Sequence, residues 1–469
     1  MKLKISILML LILFTKAISA QDLTQTLNAE QVLTLIRNYY PIVRQSNIGI
    51  EKTKAEILNA RGNFDPMLNF YGSQKTYKDI NYYEGFSSEI MIPTWYGVDV
   101  FAGANNLSGT QLDPTDSKGA NSFLGVNIPL AKNLLIDKRR AALRQAKLFN
   151  SMAEVEKTLI INDLCMDAME SYWIWVKTYQ TYKVVENNVK VNEKRFELVR
   201  KSFINGERPA IDTLESLTQL MSFQYQKNEN WLAFQNAGLQ LSAYLWISDN
   251  QPYQLPETVI PQSNWENETI IANFNLSLSN LLAVANQNHP NLRIYDFKID
   301  VLEIEKKLKY QDLLPKIDFR YNFLTKGYGI QNTLIEAAPF QNNYQMGLKV
   351  SVPLLFSQGR ANYKLAKLKI EDTKLDQSQK QLSITLKIKS YYNEFVNLKN
   401  QVGLQTKNYD NYRLLVRAEE TRFANGESSL FLINSRENKA LEALEKLIEL
   451  KTKYYKSIYA LQWSAGLLR

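Results

Sequence analysis

The sequence predicts a mainly α-helical protein with a β-barrel part, on three observations. Between Pro129 and Gly206 the chain has neither Gly nor Pro, so no residue there interrupts a helix. From Pro66 to Pro129, and again from Pro315 to Pro353, it turns to aromatic and β-branched runs such as MLNFYGS, YGVDVFAGA and FLGVNIPL, punctuated by Gly, Asn, Asp and Pro. That is strand composition. Finally, both patterns occur twice in the same order along the 469 residues, which marks an internal duplication.

In chain order, MKLKISILMLLILFTKAISA sets Lys2 and Lys4 ahead of an apolar run from Ile5 to Phe14 and small residues up to Ala20. A secretory signal peptide is expected over 1–20, since the apolar run is shorter than the ~20 residues of a membrane-spanning helix. Its removal takes away Lys2, Lys4 and Lys16 and lowers the formal charge from +9 to +6. The remaining charges are interspersed, so no nucleic-acid partner is expected. One Cys and one His exclude an intrachain disulfide and any His-rich or Cys-based metal centre. Cys165, between Leu164 and Met166, reads as core filler, and His289 in NQNHPN as a loop or helix-end residue. Without a nucleophile elbow, a phosphate loop or a dinucleotide fingerprint, no catalytic residue, cofactor or metal ligand is expected, and the reading is not an enzyme.

The duplication sets the domain plan. LNAEQVLTLIRNYYPIVRQ, from Leu27, aligns with LSLSNLLAVANQNHPNLRI, from Leu276, with Pro41 on Pro290 and Arg44 on Arg293, 249 residues on. At the same offset Pro66 falls on Pro315 and Phe70 on Phe319. Pro129 then falls on Pro353, only 224 residues on, so the first copy holds about 25 extra residues between its two prolines. The NGE turns at Gly206 and Gly426 are 220 apart. The first repeat is expected over 21–247, with strands in 64–130 and a long helical hairpin over 137–247. A linker follows over 248–275. The second repeat is expected over 276–469, with strands in 315–354 and a hairpin over 358–465. Each repeat opens with a helix, expected over Asn28 to Gly62 and Ser277 to Leu313.

The long helices carry the architectural argument. Leu148, Met152, Val155, Leu159, Met166, Met169, Trp173 and Val176 follow steps of four and three, broken only at Asn162: a coiled-coil seam. Leu368, Leu375 and Leu382 repeat at seven in the second copy, a weaker seam because Asp372 and Gln379 fall between them. A helix from Asp137 to Asn205 would run roughly 100 Å at ~1.5 Å per residue. Such a helix must bury its seam along other long helices, from this chain or sister chains. Strands in lipid need a closed barrel, because every backbone polar group there requires a partner. Two hairpins supply about four strands per chain, fewer than the roughly eight of the smallest outer-membrane barrels. Three chains would supply about twelve.

The chain resembles the TolC-like outer-membrane efflux proteins. The likeness runs over almost the whole mature chain and is carried by the paired helix openings ending at Pro41 and Pro290, the strand ends NIPLAKNLLIDKRRAAL and SVPLLFSQGR, and the turns FINGERPAIDTLES and FANGESSLFLINSRE. It implies a homotrimer with a twelve-stranded outer-membrane barrel and a coiled-coil helical barrel in the periplasm. It also implies passive export, with a periplasmic adaptor (membrane fusion protein) and an inner-membrane pump as partners and outer-membrane lipid around the strands. By this likeness Asn205, Gly206 and Glu207, with Asn425, Gly426 and Glu427, form adaptor-contact tips, and Asp212 and Glu215 are pore-gate candidates. Leu432 and Ser435 stand where the second copy would carry the matching acids, and acids near a helix start also suit the helix dipole. Phe70, Tyr71, Trp95, Tyr96, Phe101 and Phe123 are expected to form the aromatic girdle of a barrel.

Two other classes compete. A periplasmic adaptor-type coiled-coil protein also uses long hairpins, but with one hairpin splitting a compact β-rich module, whereas two hairpins and two strand sets occur here. A secreted helical enzyme or binding protein would need a catalytic constellation that the sequence lacks.

Overall fold

The computed structural model describes residues 26–113, 117–262, 277–329, 340 and 342–468. The expected signal peptide and the linker from 263 to 275 lie outside them. In chain order the elements are β1 (Thr26–Leu27), α1 (Ala29–Tyr39), α2 (Pro41–Gly62), β2 (Met67–Tyr77), β3 (Ile80–Pro93), β4 (Asp99–Ser108), β5 (Gly119–Pro129), α3 (Lys138–Ile204) and α4 (Ala210–Ser242). The short strands β6 (Trp246–Ile247), β7 (Gln251–Pro252) and β8 (Ile260–Pro261) follow, then α5 (Leu278–Asn288), α6 (Pro290–Tyr310), β9 (Lys316–Lys326), β10 (Tyr344–Ser351), α7 (Ser357–Ala424) and α8 (Leu430–Ser464).

Two expectations need correction. Each opening helix is really two, broken before Pro41 and Pro290. A residue ahead of proline is pushed out of the helical region while the proline itself suits a first turn. Tyr40 accordingly takes ψ 133°, and His289 caps α6 by accepting the Asn291 N–H on Nδ1 at 3.2 Å. The second correction is the size of the main sheet, which has six strands among the described residues and not four. The strands β2 and β9 cover matching stretches 249 residues apart, and β5 and β10 end near the matched prolines. The hairpin β3–β4 has no counterpart among the described residues of the second copy, and it falls where the first copy carries its extra residues.

The chain divides into two compact units that cut across the repeats: Met1–Pro41, Ile161–Leu278 and Ile388–Arg469 form one, Ile42–Ile160 and Ser279–Lys387 the other. In the first, Trp173 stacks on Tyr455 at 4.9 Å and Trp175 on Phe234 at 6.0 Å. Tyr172, Met169, Val176, Phe223, Leu241 and Ile458 are buried with them. Asn162, the break in the expected seam, is buried because it closes the end of α8: its Nδ2 donates to the Trp463 carbonyl and its Oδ1 accepts from the Leu468 N–H, both at 3.1 Å. Cys165 is a buried free thiol, and burial holds it above its ordinary pKa. At the amino end Asn28 and Gln31 form a capping box on α1.

The second unit holds one antiparallel sheet, in the order β10-β9-β5-β4-β3-β2. Strand alternation divides it into two faces. On one, the paired registers line up Leu68 and Phe70 with Phe86, Ile90 and Ile92, then Val100 and Ala102, Leu124 and Val126, Phe319 and Phe323, and Leu348 and Val350. The opposite face carries Ser73, Ser87, Glu89, Asn105, Asn121, Arg320, Asn322 and Gln345. All eight residues of β10 are exposed, as are all but one of the eleven in β2. Below the sheet, Ala60 and Phe64 pack on Leu143 and Ala146.

Candidate functional site

The two hairpin tips lie in the first unit and close in the same way. At the end of α3 the Gly206 N–H donates to the Phe203 carbonyl at 2.9 Å and the Glu207 N–H to the Ser202 carbonyl at 2.9 Å. At the end of α7 the Gly426 N–H donates to Phe423 at 3.1 Å and the Glu427 N–H to Arg422 at 2.8 Å. These are Schellman closures, which need a left-handed residue after the last helical turn. Gly206 at φ 78° and Gly426 at φ 81° supply it without the steric cost of a Cβ. Asn205, Gly206, Glu207, Asn425, Gly426 and Glu427 are all exposed. Beside them Ile204, Ile211, Leu214 and Phe431 are each at least 60% exposed, so the tips present apolar side chains as well as polar turns.

The tips differ just past the glycine. Arg208 follows the first NGE and lies over the Phe423 ring at 3.8 Å, tying the first tip to the second. It also pairs with Asp212 at 3.3 Å. Glu215 accepts from Asn434 Nδ2 at 3.3 Å, and Gln219 donates to Asn438 at 2.8 Å. Both gate candidates are therefore half-buried with partners in their own chain. On the second tip Ser429 caps α8 by accepting the Leu432 N–H, and Ser428 donates to the buried Glu419 at 2.6 Å.

Farther up the hairpins Arg195 grips Glu437 with both terminal nitrogens, at 2.6 and 3.3 Å, and reaches Glu420 at 3.3 Å. The Arg195 and Glu437 side chains are only 12% and 11% exposed. Sequence reasoning missed Arg208, Phe423, Arg195 and Glu437. Arg208 was open to discovery as an unmatched residue, since Ser428 stands in its place in the second copy. Arg195 and Glu437 are 242 residues apart with no periodic signal joining them.

In the second unit the polar face of the sheet is a chain of bonded groups. Arg320 pairs with Glu89 at 3.1 Å and lies 4.6 Å over the Phe101 ring, while Asn322 donates to Gln345 at 3.2 Å. This corrects the aromatic girdle. Phe101 and Phe123 are buried on the polar face, Tyr71 projects from that face too, and of the strand aromatics in the expected set only Phe70 stands on the apolar face. Trp95 and Tyr96 lie in the turn from β3 to β4, where Trp95 stacks on Phe64 at 4.2 Å.

That turn is held by the IDKRR segment. Asp137 Oδ1 accepts the Arg140 N–H at 2.8 Å and so starts α3. Arg140 donates to the carbonyls of Tyr96 at 3.2 Å, Leu134 at 3.1 Å and Asn133 at 2.5 Å. Arg139 pairs with Asp99 at 2.9 Å. Gly97 sits at φ 86°, where a Cβ would come within 2.5 Å of the Arg140 guanidinium. Among the described residues no group of three or more His, Cys, Asp or Glu is placed to hold a metal ion, and no helix is long and apolar enough to cross a membrane.

Residues 281–467 match the family model described as outer membrane efflux protein. No curated protein matches the chain. Among solved structures it is similar to the CmeC outer membrane channel of Campylobacter jejuni at 14% identity, over 93% of this chain and 85% of that one, with a TM-score of 0.61. The MtrE outer membrane channel of Neisseria gonorrhoeae matches at 11% identity over 97% and 94%, with a TM-score of 0.62. CusC matches at 11% identity over 97% and 96%, with a TM-score of 0.64. At these identities the likeness is one of fold alone.

Proposed function

We infer from its place in the outer membrane efflux protein family, carried by residues 281–467, that this chain is an outer-membrane exit duct of an efflux or type I secretion system. The observation that carries the inference is the six-stranded sheet. It has a continuous apolar face, a hydrogen-bonded polar face and, among the described residues, no ladder partner for either outer edge. A sheet of that kind satisfies its backbone in lipid only when closed into a barrel, with the polar face toward a watery lumen. The helical hairpins then extend into the periplasm. The role is passive conduction and not catalysis.

The working form is a homotrimer. Leu368, Leu375 and Leu382, the seam of the second copy, are 48%, 66% and 58% exposed, an apolar row suited to the long helices of a sister chain. The tips Asn205–Glu207 and Asn425–Glu427 are the docking surface for a periplasmic adaptor, which links the duct to an inner-membrane pump. Their shared Schellman closure supports this reading, because it presents the same rigid turn twice per chain. Asp212 and Glu215 line the gate, where Arg208 and Asn434 hold them when the tips are packed.

Membrane fractionation with chemical cross-linking tests the proposal. A cross-linked trimer in the outer-membrane fraction is expected. A monomer in the soluble periplasmic fraction overturns the duct reading.

A further inference from the structure

We propose that copies of this chain join through β10 of one and β2 of the next, in the register already used between β5 and β9, so that three copies close a barrel of eighteen strands instead of twelve. The proposal rests on the exit-duct reading.

The partner has to be another copy. Six strands are fewer than the eight or so of the smallest membrane barrels, yet both edge strands stand ready to pair. The sheet alternates direction through an even number of strands, so β10 and β2 run opposite ways and an antiparallel ladder continues unbroken from copy to copy.

The duplication supplies the register. The ladder β5–β9 joins the last strand of the first repeat to the first strand of the second. The strand β10 is the counterpart of β5, 224 residues on, and β2 is the counterpart of β9, 249 residues back. The pairs Asn121–Lys326, Phe123–Leu324 and Asn127–Arg320 become Gln345, Gly347 and Ser351 against Tyr77, Lys75 and Tyr71 of the next copy. Strand faces offer an independent check. In this register Val350 and Val352 come beside Gly72 and Phe70, so the apolar row of one copy continues into that of the next. A slip by one residue would turn an entire row to the lumen.

The additional hairpin is built into the sheet. The strand β3 pairs along its length with β2 and β4, and β4 with β5. The turn between β3 and β4 is clamped by Phe64, Arg139 and Arg140. Barrel diameter grows about linearly with strand number, so eighteen strands give a barrel roughly half again as wide as twelve. This duct would therefore open more widely in the outer membrane than a twelve-stranded one and admit bulkier cargo there.

The test is a cysteine pair at one proposed contact. Cys165 is fully buried, so the native background serves. Ser73→Cys with Lys349→Cys places two thiols directly opposite across the joint. Oxidation in isolated outer membranes is expected to give covalent dimers and trimers, at least tenfold more than Ser73→Cys with Ser351→Cys, which is slipped by two residues on the same face. A native trimer without preferential cross-linking overturns the register and leaves the duct reading standing. A disulfide confined to the monomer shows that the chain closes on itself and overturns the joint. A ladder that stops at the dimer means twelve strands from two copies and overturns the count of eighteen. A soluble periplasmic monomer overturns the duct reading itself.

Discussion

Replacing Arg195 with Met tests what holds the hairpins together above the tips. The guanidinium sits in a fork with Glu437 at 2.6 and 3.3 Å, and both side chains are nearly nine-tenths buried. Its contact with Glu420, 46% exposed, adds little, since exposed pairs contribute ~0–1 kcal/mol. With Arg195 gone, Glu437 keeps only the Asn192 amide at 3.4 Å, and an uncompensated buried carboxylate costs about 3–5 kcal/mol. At tenfold per 1.4 kcal/mol, hydrogen-exchange protection in peptides covering 188–204 and 430–445 should fall on the order of a hundredfold or more. Glu437→Leu alone should cost less, because Arg195 keeps Glu420 and the side-chain Oδ1 of Asn192 as acceptors. The double variant Arg195→Met/Glu437→Leu should return to within about 1 kcal/mol of the native protein, since a buried pair is often replaceable by apolar groups of similar volume. Protection that falls in the double variant by the sum of the two single losses would refute the coupling.

Other predictions concern the tips, the barrel base and pH. Gly206→Pro or Gly426→Pro forbids the positive φ and removes the N–H that closes the turn, so export should be lost while trimers still form; persisting export would show that the tips do not dock the adaptor. Asp212→Ala with Glu215→Ala should weaken block of single-channel current by multivalent cations, and unchanged block would return both acids to a helix-dipole role. Gly97→Ala should cost about 1–2 kcal/mol in left-handed strain plus the displacement of Arg140, read as a lower temperature for the loss of folded-band mobility in detergent gels. On α8, burial and Glu442 raise the Glu445 pKa, whereas bonds from Lys453 and Lys446 hold Glu449 down at about 2. Glu445 therefore destabilises the fold increasingly as pH rises through its raised value, and Glu445→Gln should stabilise at neutral pH with the gain vanishing in acid. Glu449 contributes stability that is present above its ordinary pKa and lost as pH falls toward 2, so acid unfolding of Glu449→Gln should be less steep.

The helical half of the fold was legible because unbroken stretches and heptad spacing are local signals, and the tips because Gly after a long helix has one common use. The break before each proline was not read, because helical spacing runs on through both prolines, although Pro41 and Pro290 revealed the duplication. Nor was the hairpin β3–β4. Its existence was written in the difference between the two proline offsets, but a turn such as TWYG, between β3 and β4, is closed by Arg140 from outside the hairpin, and propensity carries no such signal. The girdle failed for a related reason. Aromatic content does not say which face a side chain takes, and Phe101 faces the polar side beneath a guanidinium from β9.

The asymmetry between the tips follows from the same duplication. Once Arg208 reaches over Phe423, the two turns of one chain are no longer free to act separately, and the first tip holds its acid at Asp212 against that arginine. The second copy has Ser428 where Arg208 would be and Leu432 where Asp212 would be, so the cation and the acid it neutralises are absent together. An acidic residue restored at Leu432 without an arginine at Ser428 would therefore lack the partner that Arg208 gives Asp212, and Leu432→Asp should open the tips. Leu432→Asp combined with Ser428→Arg should close them again. Single-channel conductance measures both, and equal conductance in the two variants would show that the paired change between the copies has no bearing on the gate.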